Sequence, residues 1–350
     1  MSYKAIDVFA GAGGLTVGLK NAGIEVVAAI ENNKNAADTY KINHPEVNVE
    51  CKDVQSITNK YLKNLKKSGV NFVAGCPPCQ GFSPLTSNLN DPRNKLVLDF
   101  LNIITKIDPD AIMMENVPGI VKKGKAVLDK FIEQLEKLNY HVTFKVLQVA
   151  NYGVPQLRKR FVLFACKKTA IPMPQATHSE TGNNGLQKWV SLKELFEQHQ
   201  LQEPITMKEA EDESLFKKYN WNIVRNLSDL SKKRLQYLKP GSNRFSIPDE
   251  LRPPCHKGNN KGFSNVYARM SWSSPSPTIT SGCTTMSAGR FLHPEKNRTI
   301  SVREAALIQT FPVDYIFTPK EMEHVCKLVG NALPCHFAEV LTRHFLEHLE

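Results

Sequence analysis

A chain of 350 residues with 41% hydrophobic side chains carries enough apolar material for one large domain plus a smaller one, which excludes a disordered or fibrous sequence. It shows no run of about 18 apolar residues, no signal-peptide pattern and no regular spacing of its eight cysteines, so a membrane span and a disulfide scaffold are excluded and free thiols in a reducing, cytosolic compartment are expected. The net charge of +11 is uneven: residues 167–300 hold 20 basic against 12 acidic groups, a surplus that suits a polyanion through counterion release but also fits an ordinary lysine-rich surface.

The apolar stretch Ala5 to Ala10 runs into Gly11-Ala-Gly-Gly14 and then the helical spacing Leu15, Val17, Leu19. Strand, glycine loop and helix in this order open a nucleotide-binding α/β fold, where glycines let a ligand approach the backbone. A pyrophosphate site would have a third glycine where Thr16 stands, so the loop suits a ligand without phosphates. The next strand, Glu25 to Ile30, ends at Glu31, a carboxylate placed to accept from ribose hydroxyls. Asp53 follows a further short strand, within reach of an adenine amino group. Together the three positions suggest an adenosine-containing ligand.

The buried run Val70 to Ala74 stops at Gly75, and Cys76-Pro-Pro-Cys79 follows. Its two prolines hold Cys79 in an extended turn past the strand end, where doubly wound sheets place their chemistry. Residues 80–94 are polar and aperiodic, as expected of a lid beside a nucleophile. A second apolar run, Ala111 to Met114, ends in Glu115-Asn-Val117, so a carboxyl group emerges at a strand end as the thiol does, and the two are expected to face one cleft. Helices at Lys95–Lys106 and Gly124–Leu138 alternate with strands, among them His141–Val149, which implies a mostly parallel sheet covered on both faces. Gln156-Leu-Arg-Lys-Arg160 enters another strand. Its Arg158 and Arg160, two apart on an extended run, should leave one face and need an anion or acceptor nearby.

From about Ile171 to Gly289 prolines scatter and apolar pieces shorten, the mark of a second domain. Its acidic run, Glu209 to Glu213, reads as a solvated helix face, and Ser271 to Thr280 reads as a loop reaching into a groove. Ser301 with Glu304 forms a capping box. Gly330 and Asn331 read as a tight ligand-contacting turn before a final amphipathic helix.

Six motifs in order, Phe9-Ala-Gly-Ala-Gly-Gly14, Pro78-Cys-Gln80, Glu115-Asn-Val117, Gln156-x-Arg158-x-Arg160, Arg303-Glu-x-Ala-x-x-Gln309 and Gly330-Asn-x-x-Pro334, make the chain resemble the DNA cytosine-5 methyltransferases. The resemblance implies a Rossmann-like, S-adenosylmethionine-dependent domain of residues 1–175 and 323–350, and a smaller, irregular target-recognition domain of residues 176–322. It implies S-adenosylmethionine as methyl donor and S-adenosylhomocysteine as product, with Phe9, Gly11, Gly13, Gly14, Leu15, Glu31, Asp53, Pro78 and Asn331 as contacts. It implies a monomer acting on double-stranded DNA, without metal or membrane.

Cytosine carbon 5 is a poor nucleophile, so the ring must first gain a nucleophile at carbon 6. Thiolate suits this step. Cys79 would add there, Glu115 would meet the charge that develops at ring nitrogen 3, and by resemblance Arg160 would hold the carbonyl at carbon 2 while Arg158 supports the adduct. Cys76 completes a Cys-x-x-Cys spacing shared with redox and zinc motifs. Lacking a following helix or a second ligand pair, it reads as an ordinary thiol. The competing functions are a nicotinamide or thiol oxidoreductase, a silent DNA-binding protein and a tRNA cytosine-5 methyltransferase.

Overall fold

A computed structural model of the chain describes residues 3–78, 95–258 and 261–349. These divide into two compact units, one of residues 1–152, 159–177 and 332–350 and one of residues 153–158 and 178–331. The second unit thus contains the expected 176–322 segment apart from its first two residues, and adds two stretches, 153–158 and 323–331.

The first unit is a Rossmann-like doubly wound α/β layer. In chain order it comprises β1 (Lys4–Val8), α1 (Gly14–Asn21), β2 (Glu25–Ile30), α2 (Lys34–Asn43), β3 (Asn48–Glu50), α3 (Asn59–Lys67), β4 (Phe72–Gly75), α4 (Leu96–Ile107), β5 (Ala111–Asn116), α5 (Lys125–Lys137) and β6 (His141–Gln148). After β7 (Gln156–Leu157), which belongs to the second unit, β8 (Lys159–Cys166) re-enters the sheet. The strand order is β3-β2-β1-β4-β5-β8-β6. The sheet is mostly parallel, as expected: the five strands from β3 to β5 run parallel, and β8 alone runs against its neighbours β5 and β6. The reason is the short link. A parallel crossover needs about a dozen residues or more, usually with a helix, and only a short 3-10 turn and β7 lie between β6 and β8.

Apolar spacing builds the layers. In α4, Val97, Phe100, Ile103, Ile104 and Ile107 fall on one buried stripe, and the Phe100 and Phe131 rings stack 6.2 Å apart under the sheet. The last residue of β4 is glycine because a Cβ at Gly75 would come within 2.7 Å of the Val8 carbonyl and 2.8 Å of the Phe100 ring. The last helix, α11 (Cys335–Glu347), packs Phe345 against Phe72 and Phe164. It also crosses α1 so closely that a Cβ on Gly18 would stand 2.4 Å from that of Ala338.

The second unit has little regular structure among its described residues: β9 (His178–Ser179), β10 (Gln187–Lys188), α6 (Leu192–His199), β11 (Ile205–Thr206), α7 (Glu213–Tyr219), β12 (Ile223–Val224), α8 (Asp229–Leu235), β13 (Ser276–Pro277), α9 (Val302–Ile308) and α10 (Met322–Asn331). The final helix, α11 (Cys335–Glu347), returns to the first unit. Buried arginines serve the second unit's irregular backbone. Arg269 donates to the carbonyls of Leu235, Leu238, His293 and Lys296, and Arg252 to those of Phe245 and Ile247. The acidic run is not one helix face: Asp212 caps α7 by accepting from the Ser214 and Leu215 amides.

Candidate active site

Parallel register brings the strand ends of the first unit to one edge. Glu50 pairs with Ile30, Ile30 with Val8, Val8 with Gly75, Gly75 with Met114, and Met114 with Leu163 of the antiparallel neighbour. The residues just beyond that line are Asp53, Glu31, the loop from Phe9 to Gly14, Cys76 to Pro78, Glu115, and Arg160 at the start of β8. Sequence spacing named nearly all of them and expected a shared cleft for Cys79 and Glu115 alone, not one rim for the whole set. Cys79, with the expected lid at 80–94, lies outside the described residues.

At the centre of the rim Arg160 Nε meets Glu115 Oε1 at 2.6 Å, with both side chains largely buried. The next residue, Asn116, donates Nδ2 to the Pro77 carbonyl at 2.9 Å and accepts the Val117 amide at 2.8 Å, so it ties β5 to the turn two residues before Cys79. Cys76, an ordinary thiol by sequence, has charged company. It follows Gly75 as Glu115 follows Met114, so register sets the two beside each other. Burial first, then the charges of Glu115 and Asp7, push this thiol well above its ordinary value, while Arg160 opposes them. Burial likewise lowers the Arg160 guanidinium.

The glycine loop is held by a carboxylate. Glu31 Oε2 accepts the Gly11 amide at 2.8 Å and Oε1 the Asn33 amide at 2.7 Å; desolvation raises its pKa, and these amides draw it back. Phe9 takes φ +60, a costly conformation for a side-chain-bearing residue, with its ring 6.4 Å from that of Phe100. Gly11 and Gly13 take φ +55 and +89, and open space lies where a Cβ on Gly11 would stand. Gly14 and Leu15 are buried at the start of α1, whereas Asp53 is exposed and caps the next turn through the Gln55 amide.

Beneath the loop lies a group that sequence reading missed. Asp7, fully buried in β1, accepts from Thr16 Oγ1 at 2.7 Å, and that hydroxyl lies 2.6 Å from the Tyr40 hydroxyl. Burial, despite the Thr16 bond and with Glu31 adding to it, lifts the Asp7 carboxyl to about 7. The signal was present: a lone aspartate in the apolar run Ala5-Ile-Asp-Val8. Thr16, read only as a missing glycine, is its partner.

Other expected residues fall in the second unit. Arg158 precedes β8 instead of lying on it, so Arg158 and Arg160 do not share one extended face. Each has acceptors of its own. Arg158 is buried and donates to the Ile279 and Gly330 carbonyls at 2.9 and 3.1 Å. Gln156 donates to Gln309 Oε1 at 2.7 Å and accepts the Ile279 amide at 2.9 Å, and Gln309 donates to the Val329 carbonyl at 2.6 Å. Gly330 and Asn331 are not a turn but the end of α10. Glycine is needed there because a Cβ would stand 2.3 Å from the Thr280 backbone. Asn331 is exposed. The capping box at Ser301 and Glu304 is present, and Arg298 grips Glu304 with both amino groups at 2.8 and 2.9 Å. Among the described residues there is no metal-binding cluster, and no helix is long and apolar enough to cross a membrane.

The sequence profile of the C-5 cytosine-specific DNA methylases matches residues 3–347. The chain belongs to that family. This methylase is 34% identical to the Type II methylase M.HgiDII of Herpetosiphon aurantiacus, with 100% of the chain and 97% of the relative covered. It is 30% identical to the Type II methyltransferase M1.HphI of Haemophilus parahaemolyticus, covering 99% and 87%. Among solved structures it resembles a candidate DNA modification methyltransferase encoded within an E. coli prophage, with a TM-score of 0.73, 23% identity and 99% of both chains covered. The methylase also resembles a variant of Spodoptera frugiperda DNMT2, with a TM-score of 0.66, 21% identity and coverage of 98% and 100%. At these identities the likeness to solved structures is one of fold.

Proposed function

We propose that this methylase is the sequence-specific, DNA-modifying partner in a restriction–modification pair, and that it flips its target cytosine and adds Cys79 to carbon 6. The observation that carries the proposal is the 2.6 Å pair of Glu115 and Arg160 on the rim, with Asn116 fastening the turn that leads to Cys79. Flipping costs a few kcal/mol, and no atom of the ring is within reach until it is done.

Cys79 forms the bond to carbon 6 as a thiolate, and the electron pair moves toward ring nitrogen 3. Glu115 meets it there with a proton or a strong hydrogen bond. Arg160, holding Glu115 through Nε, keeps other donors for the carbonyl at carbon 2. Arg158, whose amino groups are committed to the Ile279 and Gly330 carbonyls, acts as a positioning residue rather than on the base. Once carbon 5 carries the methyl group, loss of its proton to a base or water re-forms the ring double bond and expels Cys79 as thiolate.

The residues of the rim fit S-adenosylmethionine. Gly11 has open space in place of a Cβ, and the Glu31 oxygens keep acceptor sites for ribose hydroxyls beyond the two amides they hold. Phe9, Gly11, Gly13, Gly14, Leu15, Glu31, Asp53 and Pro78 would hold it. Asn331 of the second unit is a proposed further contact. Bound there, it supplies an electrophilic methyl group for carbon 5. The second unit, basic and irregular, is the proposed target-recognition domain.

Bisulfite sequencing of plasmid DNA after expression tests substrate, position and site together, and methyl marks at a defined cytosine are expected. Marks confined to tRNA would remove the DNA assignment. Cys79→Ala should keep DNA binding and lose methyl transfer; normal methylation by that variant would refute the role.

A further inference from the structure

Phe263 is 85% exposed, whereas the other exposed large hydrophobic residues described lie between 37% and 49%. A phenylalanine held in water forfeits most of the stabilisation that burying its ring would provide. Nor is it left there by a loose backbone. Arg244, 1% exposed, donates Nε to the Phe263 carbonyl at 2.9 Å and Nη2 to the Lys261 carbonyl at 2.6 Å. Gly262 between them takes φ +92, which lets two carbonyls two residues apart turn toward one guanidinium. On the near side Asp249, gripped by Arg252 Nη1 at 3.2 Å, accepts the Gly258 amide at 2.8 Å. Arginine-anchored contacts therefore fix the backbone at Lys261 and Phe263 and at Gly258, while the Phe263 ring stays in solvent. Lys261, two residues before it, and Lys257, six before it, are both exposed, within the most basic stretch of the chain.

An aromatic ring on a pinned loop flanked by lysines has the chemistry of a side chain that enters stacked bases, with the lysines on the phosphates to either side. We propose that Phe263 is a duplex wedge: its ring unstacks a base step of the DNA, and Lys257 and Lys261 hold the flanking backbone. The inference rests on DNA being the substrate, and it adds a contact that none of the six motifs contains.

The test uses the full chain and a short duplex carrying the site mapped by bisulfite sequencing, with 2-aminopurine walked through its flanks. Phe263→Ala should bind the duplex roughly 5- to 150-fold more weakly, the range of a lost base–aromatic stack. Phe263→Trp should bind as wild type does. Because the ring is neutral, Phe263→Ala should leave the slope of log K against log salt unchanged, whereas Lys257→Ala with Lys261→Ala should make it shallower by about 1.8. The 2-aminopurine signal at one step should rise with wild type and not with Phe263→Ala. The thermal midpoint should not move, since the ring is solvated.

Wild-type affinity in Phe263→Ala overturns the wedge, as does a 2-aminopurine signal that survives the substitution. A change from dimer to monomer at unchanged DNA affinity overturns it too, by assigning the ring to a second copy. Methyl incorporation by the wild-type protein is read on the same duplex. If wild type methylates it and Phe263→Ala binds equally well, the wedge alone fails; if wild type leaves the duplex unmethylated, the substrate assignment fails and the wedge with it.

Discussion

In the sheet unit the peptide groups are paired by one another along seven strands, and its buried polar groups include the carboxyls Asp7 and Glu115. In the second unit the strands described are two residues long, and Arg158, Arg244, Arg252, Arg269 and Arg303 are buried with their guanidinium groups on backbone carbonyls. A buried carbonyl without a donor costs about 1–3 kcal/mol, so irregular chain must import donors. The planar fork of arginine supplies several from one side chain. Burial is felt in return: it lowers Arg303 to about 10. One unit is held by periodicity and the other by a few long side chains, so the two should fail differently.

The largest contrast comes from the sheet. Phe100→Ala should cost about 3–5 kcal/mol, read as a lower urea midpoint for a probe in the first unit, such as protection of the β5 amides. The same variant should leave second-unit amides protected if the two units hold separately. Next comes the buried acid. The Asp7 carboxyl sits at about 7 in the fold against an ordinary 3.8, so the folded state binds the extra proton between those values and its stability falls as pH rises from about 4 to about 7. Glu31, raised by burial, acts in the same direction. His44 and His293, lowered to about 4 and about 3, act oppositely below about 6.5. Asp7→Asn isolates the acid. Relative to wild type it should gain about 2–4 kcal/mol between pH 4 and pH 8, measured by denaturant titration at each pH; a constant difference would place the titration elsewhere.

Arg269→Met keeps the bulk and removes the donors. About 3 kcal/mol should be lost, seen as early proteolytic cleavage within residues 235–297 while the sheet stays protected. Arg269→Lys should recover little, since one ammonium cannot span the same carbonyls. Full recovery by lysine would show that charge, not the fork, is what the second unit uses. The smallest effect is expected at Ser301→Ala, which opens the capping box of α9 at about 1 kcal/mol and should shift thermal melting only slightly.

The same contrast explains what could be read in advance. Strands and helices of the first unit follow from alternation and apolar spacing, and the helix from 125 to 137 was expected within one residue at each end. Ser301 and Glu304 declare their cap locally, three residues apart. What failed depends on neighbours distant in sequence. Gly330-Asn331 has the composition of a turn, yet its glycine answers to Thr280, fifty residues away. Arg158 and Arg160 look alike on an extended run, yet one answers to Ile279 and Gly330 and the other to Glu115. The thiol of Cys76 acquires its company only when β4 and β5 are set in register. The glycine loop, Glu31 and Glu115 were legible because their strands announce where they end; the common rim was not, because a sequence does not state strand order.

The contact of Gly18 with Ala338 joins two helices that lie about 320 residues apart in the chain. Until the ribosome has delivered residues 335–347, the α1 face and the ring pocket for Phe345 beneath β4 have nothing to cover them. The sheet unit is therefore finished only after the whole second unit has been synthesised. A nascent chain of this methylase should keep its sheet unit incomplete until α11 emerges.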